Sequence, residues 1–406
     1  MRRVDRWLGV PICALLTILR KSIGDRPVPR PPAFIVFFKL AEQGSTVLAW
    51  PAISNAIARV GRDRVYFVVF EENRAILDAV EWIPSENVLA VRSDNIWSVT
   101  VGVLRTLRRL RRIGVDAAID LEFFARSSAI FAYLSGASRR AGFHAYGGGA
   151  GYRGDLCTHK VSFNGHLHTS QAFETLVDAL DREPADFPAY GMRAPEAEAL
   201  PEFHPSAADE ASVRQLLEGV DCAAAPRILL NANASDLLPL RRWPPEHYVE
   251  VAHRMLADDP DCRVIFTGGP GEEKAAARLV TEVGSQRCVS LAGKTTFRDL
   301  LTLFTMSDVL VTNDSGPAHF AALTSIEVVT LFGPETPALF AALSPRNQPL
   351  SAGLVCSPCV NAFNDRQSSC TNNVCMQMLS VDQVSDAAVR ARERRKHASG
   401  QRPAPR

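Results

Sequence analysis

Short runs of β-branched and aromatic residues alternate with longer amphipathic stretches along most of this chain, and after a break the alternation starts again. In the first series, residues 34–39, 65–70, 88–91 and 117–120 read as strands. Residues 48–60, 73–80, 97–113 and 127–135 between them carry apolar side chains at helical spacing. A helix between two strands carries the chain back across one face of the sheet, so the strands run parallel. Residues 182–226 interrupt the series with a Pro-, Ala- and Glu-rich composition and one helix over 207–217. A second series follows, with strands at 227–231, 263–267, 288–291, 309–312 and 327–332 and helices at 245–256, 272–283, 296–304 and 317–323. A chain of 406 residues exceeds the ~250–300 that one core serves. Two similar α/β halves are therefore expected, facing each other across a cleft. In open sheets of this kind ligands sit at the carboxyl ends of strands, so function is to be sought in the polar loops there.

Composition narrows the classes. A net charge of +1 gives no global field for nucleic acid, and 47% hydrophobic with 22% charged residues is ordinary for a globular protein in water. Residues 1–30 depart from that balance, with seven Arg or Lys against two Asp, a local net of +5. Trp7 to Leu19 is a thirteen-residue run of apolar and small residues, shorter than the ~20 that span a bilayer. Arg20-Lys21 follows it, where a cleaved signal would need small residues. A basic-flanked apolar helix lying in a membrane interface fits better than a packed helix or a targeting peptide. The expected division is a membrane-associating segment with a Pro-rich linker (1–32), an N-terminal Rossmann-like domain (33–190), an interdomain region (191–226), a C-terminal Rossmann-like domain (227–350), a Cys-containing extension (351–396) and a disordered tail (397–406). A mobile glycine-rich loop is expected over 146–154. Cys356, Cys359, Cys370 and Cys375 stand at spacings that suit a structural zinc, two disulfides or four free thiols. No catalytic metal and no cofactor is implied.

The loop after 309–312 is the most informative. Asn313-Asp314-Ser315-Gly316-Pro317-Ala318-His319 turns from a buried strand into a helix, with Pro317 suited to the first turn and Ser315 or Gly316 to the N-cap. Backbone N–H groups and the helix dipole make such a start an anion site. Asp314, Ser315 and His319 add an acceptor, a hydroxyl and an imidazole, a set suited to a diphosphate and a sugar. After 227–231, Ser235 precedes Arg241-Arg242-Trp243-Pro244. An arginine pair alone is more often a surface salt bridge, but at the same sheet edge its planar forks match phosphate oxygens. Thr267-Gly268-Gly269-Pro270-Gly271-Glu272 lacks P-loop spacing; its glycines serve the turn equally well, and Glu272 or Glu273 can reach a ribose hydroxyl. After the first strand, Lys39-Leu40-Ala41-Glu42-Gln43-Gly44-Ser45-Thr46 offers Gly44 for a tight turn, Ser45 and Thr46 beside it, and Glu42 as a carboxylate able to take a proton from a hydroxyl. The plainer alternative there is a solvated capping loop. Arg105, Arg108, Arg109 and Arg112 form a basic stripe that reads first as a solvated face and second as one meeting an anionic surface.

In order and spacing these elements resemble glycosyltransferase family 9, which contains the heptosyltransferases of bacterial lipopolysaccharide synthesis. The resemblance runs from Ala33 to about Val384 and is carried by several motifs. These are Lys39-Leu40 through Trp50-Pro51-Ala52, Asp120-Leu121-Glu122 with Arg126-Ser127-Ser128, Arg241 to Pro244, Thr267 to Pro270, Asn313 to His319, and Leu331-Phe332-Gly333-Pro334-Glu335-Thr336. Cys356-Ser357-Pro358-Cys359 is similar to some members. The resemblance implies the GT-B fold and an inverting, metal-independent transfer, with the donor in the C-terminal domain and the acceptor in the N-terminal one. Asn313, Asp314, Ser315, Gly316 and His319 would then hold the donor, with Ser235 and Glu272 nearby, and Arg241 would stabilise the departing diphosphate. The implied partners are a nucleotide-diphosphate sugar such as ADP-heptose and a glycolipid or lipid-linked glycan. No nucleic acid is implied, and the expected place is the cytoplasmic face of the inner membrane or the cytoplasm. One position departs from the pattern. Heptosyltransferases of the family carry an Asp directly after the first-loop glycine, the expected general base, where this chain has Ser45. Glu42, two residues before Gly44, is the nearest carboxylate and the candidate replacement. That departure keeps open a nucleotide-sugar epimerase, which needs no acceptor, and a non-catalytic binding or scaffolding member.

Overall fold

Each series closes into its own six-stranded, all-parallel sheet. The computed structural model describes residues 2–25, 31–144, 151–184, 194–195, 198–223 and 226–400. It divides into a first unit, Met1–Glu198 with Asn361–Arg366, and a second, Ala199–Val360 with Gln367–Arg406. The first unit holds β1 (Ile35–Phe38), β2 (Val65–Phe70), β3 (Val88–Val91), β4 (Ala117–Asp120), β5 (Arg139–His144) and β6 (His159–Ser162), ordered β3-β2-β1-β4-β5-β6. The second holds β7 (Arg227–Asn231), β8 (Arg263–Phe266), β9 (Cys288–Ser290), β10 (Val309–Asn313), β11 (Glu327–Phe332) and β12 (Asn347–Ser351), ordered β12-β11-β10-β7-β8-β9. In each sheet the chain steps outward over three strands, then returns to the far side of the first. Phe38 lies opposite Asp120 where β1 meets β4, and Asn231 opposite Thr312 where β7 meets β10. The carboxyl ends of these two strand pairs are the switch points at which doubly wound sheets bind ligands.

Burial follows the pattern that parallel sheets demand. β1, β4, β10 and β11 are buried throughout, because helices cover both faces. The helix Pro245–Asp258 buries Tyr248, Val251, Ala252 and Met255 at helical spacing. Phe297–Thr305 starts at a capping box in which Thr296 and Asp299 satisfy each other's backbone N–H. β5 and β6 are absent from the sequence reading, since Arg139-Arg140 looks like a surface run. Arg140 is buried here because its guanidinium reaches Leu156 O at 2.7 Å, Ala137 O at 2.6 Å and Asp25 at 2.6 Å. A buried cation is tolerable when its donors are bonded in this way.

The N-terminal helix, Arg2–Ile23, is packed against the first unit by one face. Cys13 is fully buried with Ala129, Ile130 and Leu156. Asp5 accepts the backbone N–H groups of Arg126 at 3.2 Å and Ser127 at 2.8 Å, capping the helix Arg126–Leu134. Thr17 Oγ1 accepts Asp155 N at 2.8 Å, and Arg20 pairs with Asp155 at 3.0 Å. The opposite face is apolar and exposed, led by Trp7, Leu8, Leu15, Ile18 and Ile23. Among the described residues no helix is long and apolar enough to cross a membrane.

From Ala199 on, the region expected to separate the halves belongs to the second unit. Its helix, Ala207–Glu218, is tied to Phe297–Thr305 by Ser212 to Asp299 at 3.0 Å and Arg298 to Asp209 at 3.0 Å. The last helix, Val381–Gly400, runs four residues into the stretch expected to be a disordered tail. Val384, Ala387, Ala388 and Ala391 are buried along it, and Arg394 reaches Glu327 at 2.8 Å. Most of the Pro-rich linker (26–30), most of the glycine-rich loop (145–150) and the end of the tail (401–406) lie outside the described residues.

Candidate functional site

The second unit gathers its polar motifs at the β7/β10 switch point. β10 ends at Asn313, whose side chain braces two loops. Its Nδ2 donates to Ala232 O at 3.0 Å and Asn233 O at 3.1 Å, and its Oδ1 accepts Trp243 N at 3.0 Å. Asn313 thus shapes the loop after β7 and is engaged by protein groups. Arg241 follows on a short turn, Pro239–Arg241, and lies between two buried carboxylates. Its Nη1 is 3.8 Å from Asp314 and 3.6 Å from Glu335. Both separations exceed a hydrogen bond, so the guanidinium is held by charge more than by directed bonds. Its Nε is buried with no hydrogen-bond partner among the described residues, leaving a donor for an incoming oxygen. Glu335 was no candidate in the sequence reading; its signal was the Gly-Pro-Glu-Thr string that follows β11.

The other donor-side residues are distributed less uniformly. Ser315 stands at the N-cap of Gly316–Ala321 but makes no side-chain cap; its Oγ donates to Asn313 O at 3.1 Å. Gly316 lies under the Phe320 ring, which a Cβ there would meet at 2.9 Å. His319 is buried on the same six-residue helix. Glu272 accepts Gly269 N at 2.7 Å and closes its own turn, and burial raises its carboxyl above the ordinary range. Ser235 is exposed, with Oγ accepting Leu237 N at 3.2 Å. The expected arginine pair separates: Arg242 donates to Ala234 O at 2.8 Å and pairs with Asp236, leaving Arg241 alone with the buried carboxylates.

The first unit builds a second cluster at the β1/β4 switch point. Lys39, buried just past β1, donates to Ala41 O at 2.7 Å and Glu122 Oε2 at 3.1 Å. Glu122 Oε1 accepts Leu40 N at 2.9 Å and Ala41 N at 3.2 Å, moulding the loop that carries Glu42. Glu42 takes φ 68°, ψ 83°, a left-handed conformation uncommon for a residue with a Cβ. It precedes the helix Gln43–Leu48, which contains Gly44, Ser45 and Thr46, but does not cap it. Its Oε2 instead accepts Ser45 Oγ at 3.2 Å and lies 3.9 Å from Lys39 Nζ, while Oε1 pairs with Arg366. The carboxylate of residue 42 therefore reaches the side chain of residue 45. Behind the loop, Asp120 is buried against Arg153 and accepts Ser128 Oγ at 3.0 Å; burial raises it to about 6.

Among the described residues the four late cysteines are joined neither by a disulfide nor into a metal-binding group. Cys356, Cys370 and Cys375 are free thiols, and among the described residues no group of three or more His, Cys, Asp or Glu is placed to hold a metal. Cys375 is buried in the second unit's core beside Met376, while Cys356 is exposed, so the set does not converge. Cys359 instead accepts Ser368 Oγ at 3.2 Å.

A family model described as glycosyltransferase family 9 (heptosyltransferase) matches residues 103–368. Lipopolysaccharide heptosyltransferase 2 of Escherichia coli (strain K12) is 31% identical over 102 residues, a stretch covering 24% of this chain and 29% of that relative. Among solved structures, E. coli ADP-heptose lps heptosyltransferase II has a TM-score of 0.68 at 17% identity, covering 89% of this chain and 99% of the other. A glycosyl transferase family 9 structure from Veillonella parvula DSM 2008 has a TM-score of 0.68 at 16% identity, covering 91% and 99%. These two structures bear on the fold.

Proposed function

This chain belongs to glycosyltransferase family 9, and from that premise we propose that it moves a sugar, heptose first among the candidates, from a nucleotide-diphosphate donor to a lipopolysaccharide-type or other lipid-linked envelope glycan. The transfer inverts the anomeric centre and needs no metal, as the resemblance implies. The observation that carries the reading is Arg241, fixed between buried Asp314 and Glu335 at the β7/β10 switch point with a buried donor to spare. As the glycosidic bond breaks, its electron pair leaves on the diphosphate oxygen, and a preorganised guanidinium stabilises charge at that moment. Glu42 takes the proton of the acceptor hydroxyl, whose oxygen forms the new bond on the opposite face of the anomeric carbon. Its contact with Ser45 supports this role, because it brings a carboxylate to the position where related heptosyltransferases carry their Asp.

The same reading places the protein on the cytoplasmic face of the inner membrane, held peripherally by the exposed face of Arg2–Ile23. A row of large apolar side chains on a packed helix, with exposed Lys21 near its end, suits an anionic lipid interface. The test of the function is calorimetry of the whole protein with ADP, UDP, GDP and their sugar conjugates in EDTA. ADP is the first probe because a solved structure of similar fold is that of an ADP-heptose enzyme. Selective micromolar binding of one nucleotide is expected. Binding of none sinks the transferase reading.

A further inference from the structure

Six residues of the C-terminal chain, Asn361–Arg366, belong to the first unit, although the chain on both sides of them belongs to the second. They form a closed, self-bonded turn. The Asn361 side chain accepts Phe363 N at 2.9 Å and Asn364 N at 3.2 Å, and Arg366 N donates to Asn361 O at 3.0 Å. Asp365 and Arg366 both take φ 54°. Two successive left-handed residues with a Cβ cost on the order of 1 kcal/mol each or more, so the conformation needs an anchor. Phe363 is that anchor: its ring stacks on Phe124 at 5.7 Å and meets Phe163 edge-on at 5.3 Å. With the turn docked in this way, the Arg366 guanidinium pairs with Glu42 Oε1.

We infer that Arg366 is the positioning residue for Glu42, engaging one carboxylate oxygen so that the other is presented to the acceptor hydroxyl. This rests on the reading of Glu42 as the base. The case is one of geometry. The Glu42 side chain makes no cap on the helix it precedes, and its two carboxylate oxygens are engaged from different directions. Ser45 and Lys39 both approach Oε2, at 3.2 and 3.9 Å; Arg366 takes Oε1. A guanidinium delivered on a strained, aromatically anchored turn fixes the rotamer and favours the ionised carboxylate, the form that accepts a proton. Because the two residues are 324 positions apart, the interaction exists only when the 361–366 turn is docked.

The test is the pH dependence of kcat/KM of the full chain, with ADP-heptose and a heptose-free lipopolysaccharide core as substrates, for the unaltered protein, Arg366→Gln, Arg366→Lys and Glu42→Gln. Arg366→Gln is expected to lower kcat about 10-fold with donor KM unchanged, and to move the acid limb upward by about one pH unit. Arg366→Lys is expected to restore the limb and part of the rate. Melting curves of each variant show whether the fold is kept. If Glu42→Gln is inactive but Arg366→Gln leaves the limb in place, the positioning role is overturned and the base survives. If Glu42→Gln turns over like the unaltered protein, the base reading falls and this inference with it.

Discussion

Arg241 brings a cation to two buried carboxylates of the second unit, Asp314 and Glu335. Arg241→Ala is expected to weaken nucleotide-diphosphate binding by about 100-fold, and to cost roughly 3 kcal/mol of stability by removing a cation beside two buried carboxylates. Calorimetry and chemical denaturation check the two effects separately; an unchanged affinity would remove Arg241 from the donor site. A different residue contributes to the response to acid. His159 is buried, with Nδ1 2.8 Å from Thr158 Oγ1 and Nε2 3.1 Å from Arg182 O, and burial pushes it down from 6.5 to about 4. A depressed histidine contributes stability that is full above 6.5 and is lost as pH falls toward 4. Between pH 7 and 5 the loss from this group comes to about 2 kcal/mol, and His159→Gln should flatten that part of the stability–pH curve. An equal slope in both proteins would assign the acid response elsewhere. Arg241 and Asp314 can be singled out from the sequence because each lies in a polar loop that follows a strand of the right pattern. Glu335 and Arg366 cannot, since nothing local says that a carboxylate after β11 faces Arg241, or that a turn beyond Cys359 reaches Glu42.

At the scale of elements, legibility tracked burial. β2, β3, β4, β7 and β11 have the bounds that composition suggested, because a strand buried on both faces is written in β-branched and aromatic residues. β5, β6 and β12 escaped notice. Arg140 in β5 is buried by hydrogen bonds that only the fold supplies, and β12, Asn347–Ser351, is a partly exposed edge that includes Pro349. The N-terminal helix shows how far pattern alone can go. Its apolar run was legible, but which residues pack and which face outward depended on Gly9, whose added Cβ would meet Arg126 Cβ at 2.7 Å. That close approach seats the helix by the face that carries Cys13 and leaves Leu15 and Ile18 outward, each 65% exposed. Leu15→Asp with Ile18→Asp should therefore abolish binding to vesicles of phosphatidylethanolamine and phosphatidylglycerol without lowering the melting temperature. Retained binding would rule out this face as the anchor, and a large drop in melting temperature would show that the face is packed.

For the whole molecule, the N-terminal helix separates two roles that the sequence could not. Read as an anchor alone, it could be deleted with no effect except release from lipid. Its contacts say otherwise, since Asp5 caps Arg126–Leu134, Arg20 pairs with Asp155, and Cys13 is wholly buried. Deleting residues 2–25 would also remove Asp25 from buried Arg140, and a buried cation stripped of its carboxylate costs several kcal/mol. Every one of these contacts lies in the first unit, whereas Arg241, Asp314 and Glu335 all lie in the second. The deletion should therefore lower the first unit's unfolding transition in scanning calorimetry by several degrees and release the protein from vesicles. Nucleotide affinity should stay within about 2-fold, because each unit has its own core and an additive response is expected for sites with no shared partners. A single transition that shifts as a whole, with nucleotide binding lost, would mean that the two sheets unfold as one cooperative body and that donor binding depends on the first.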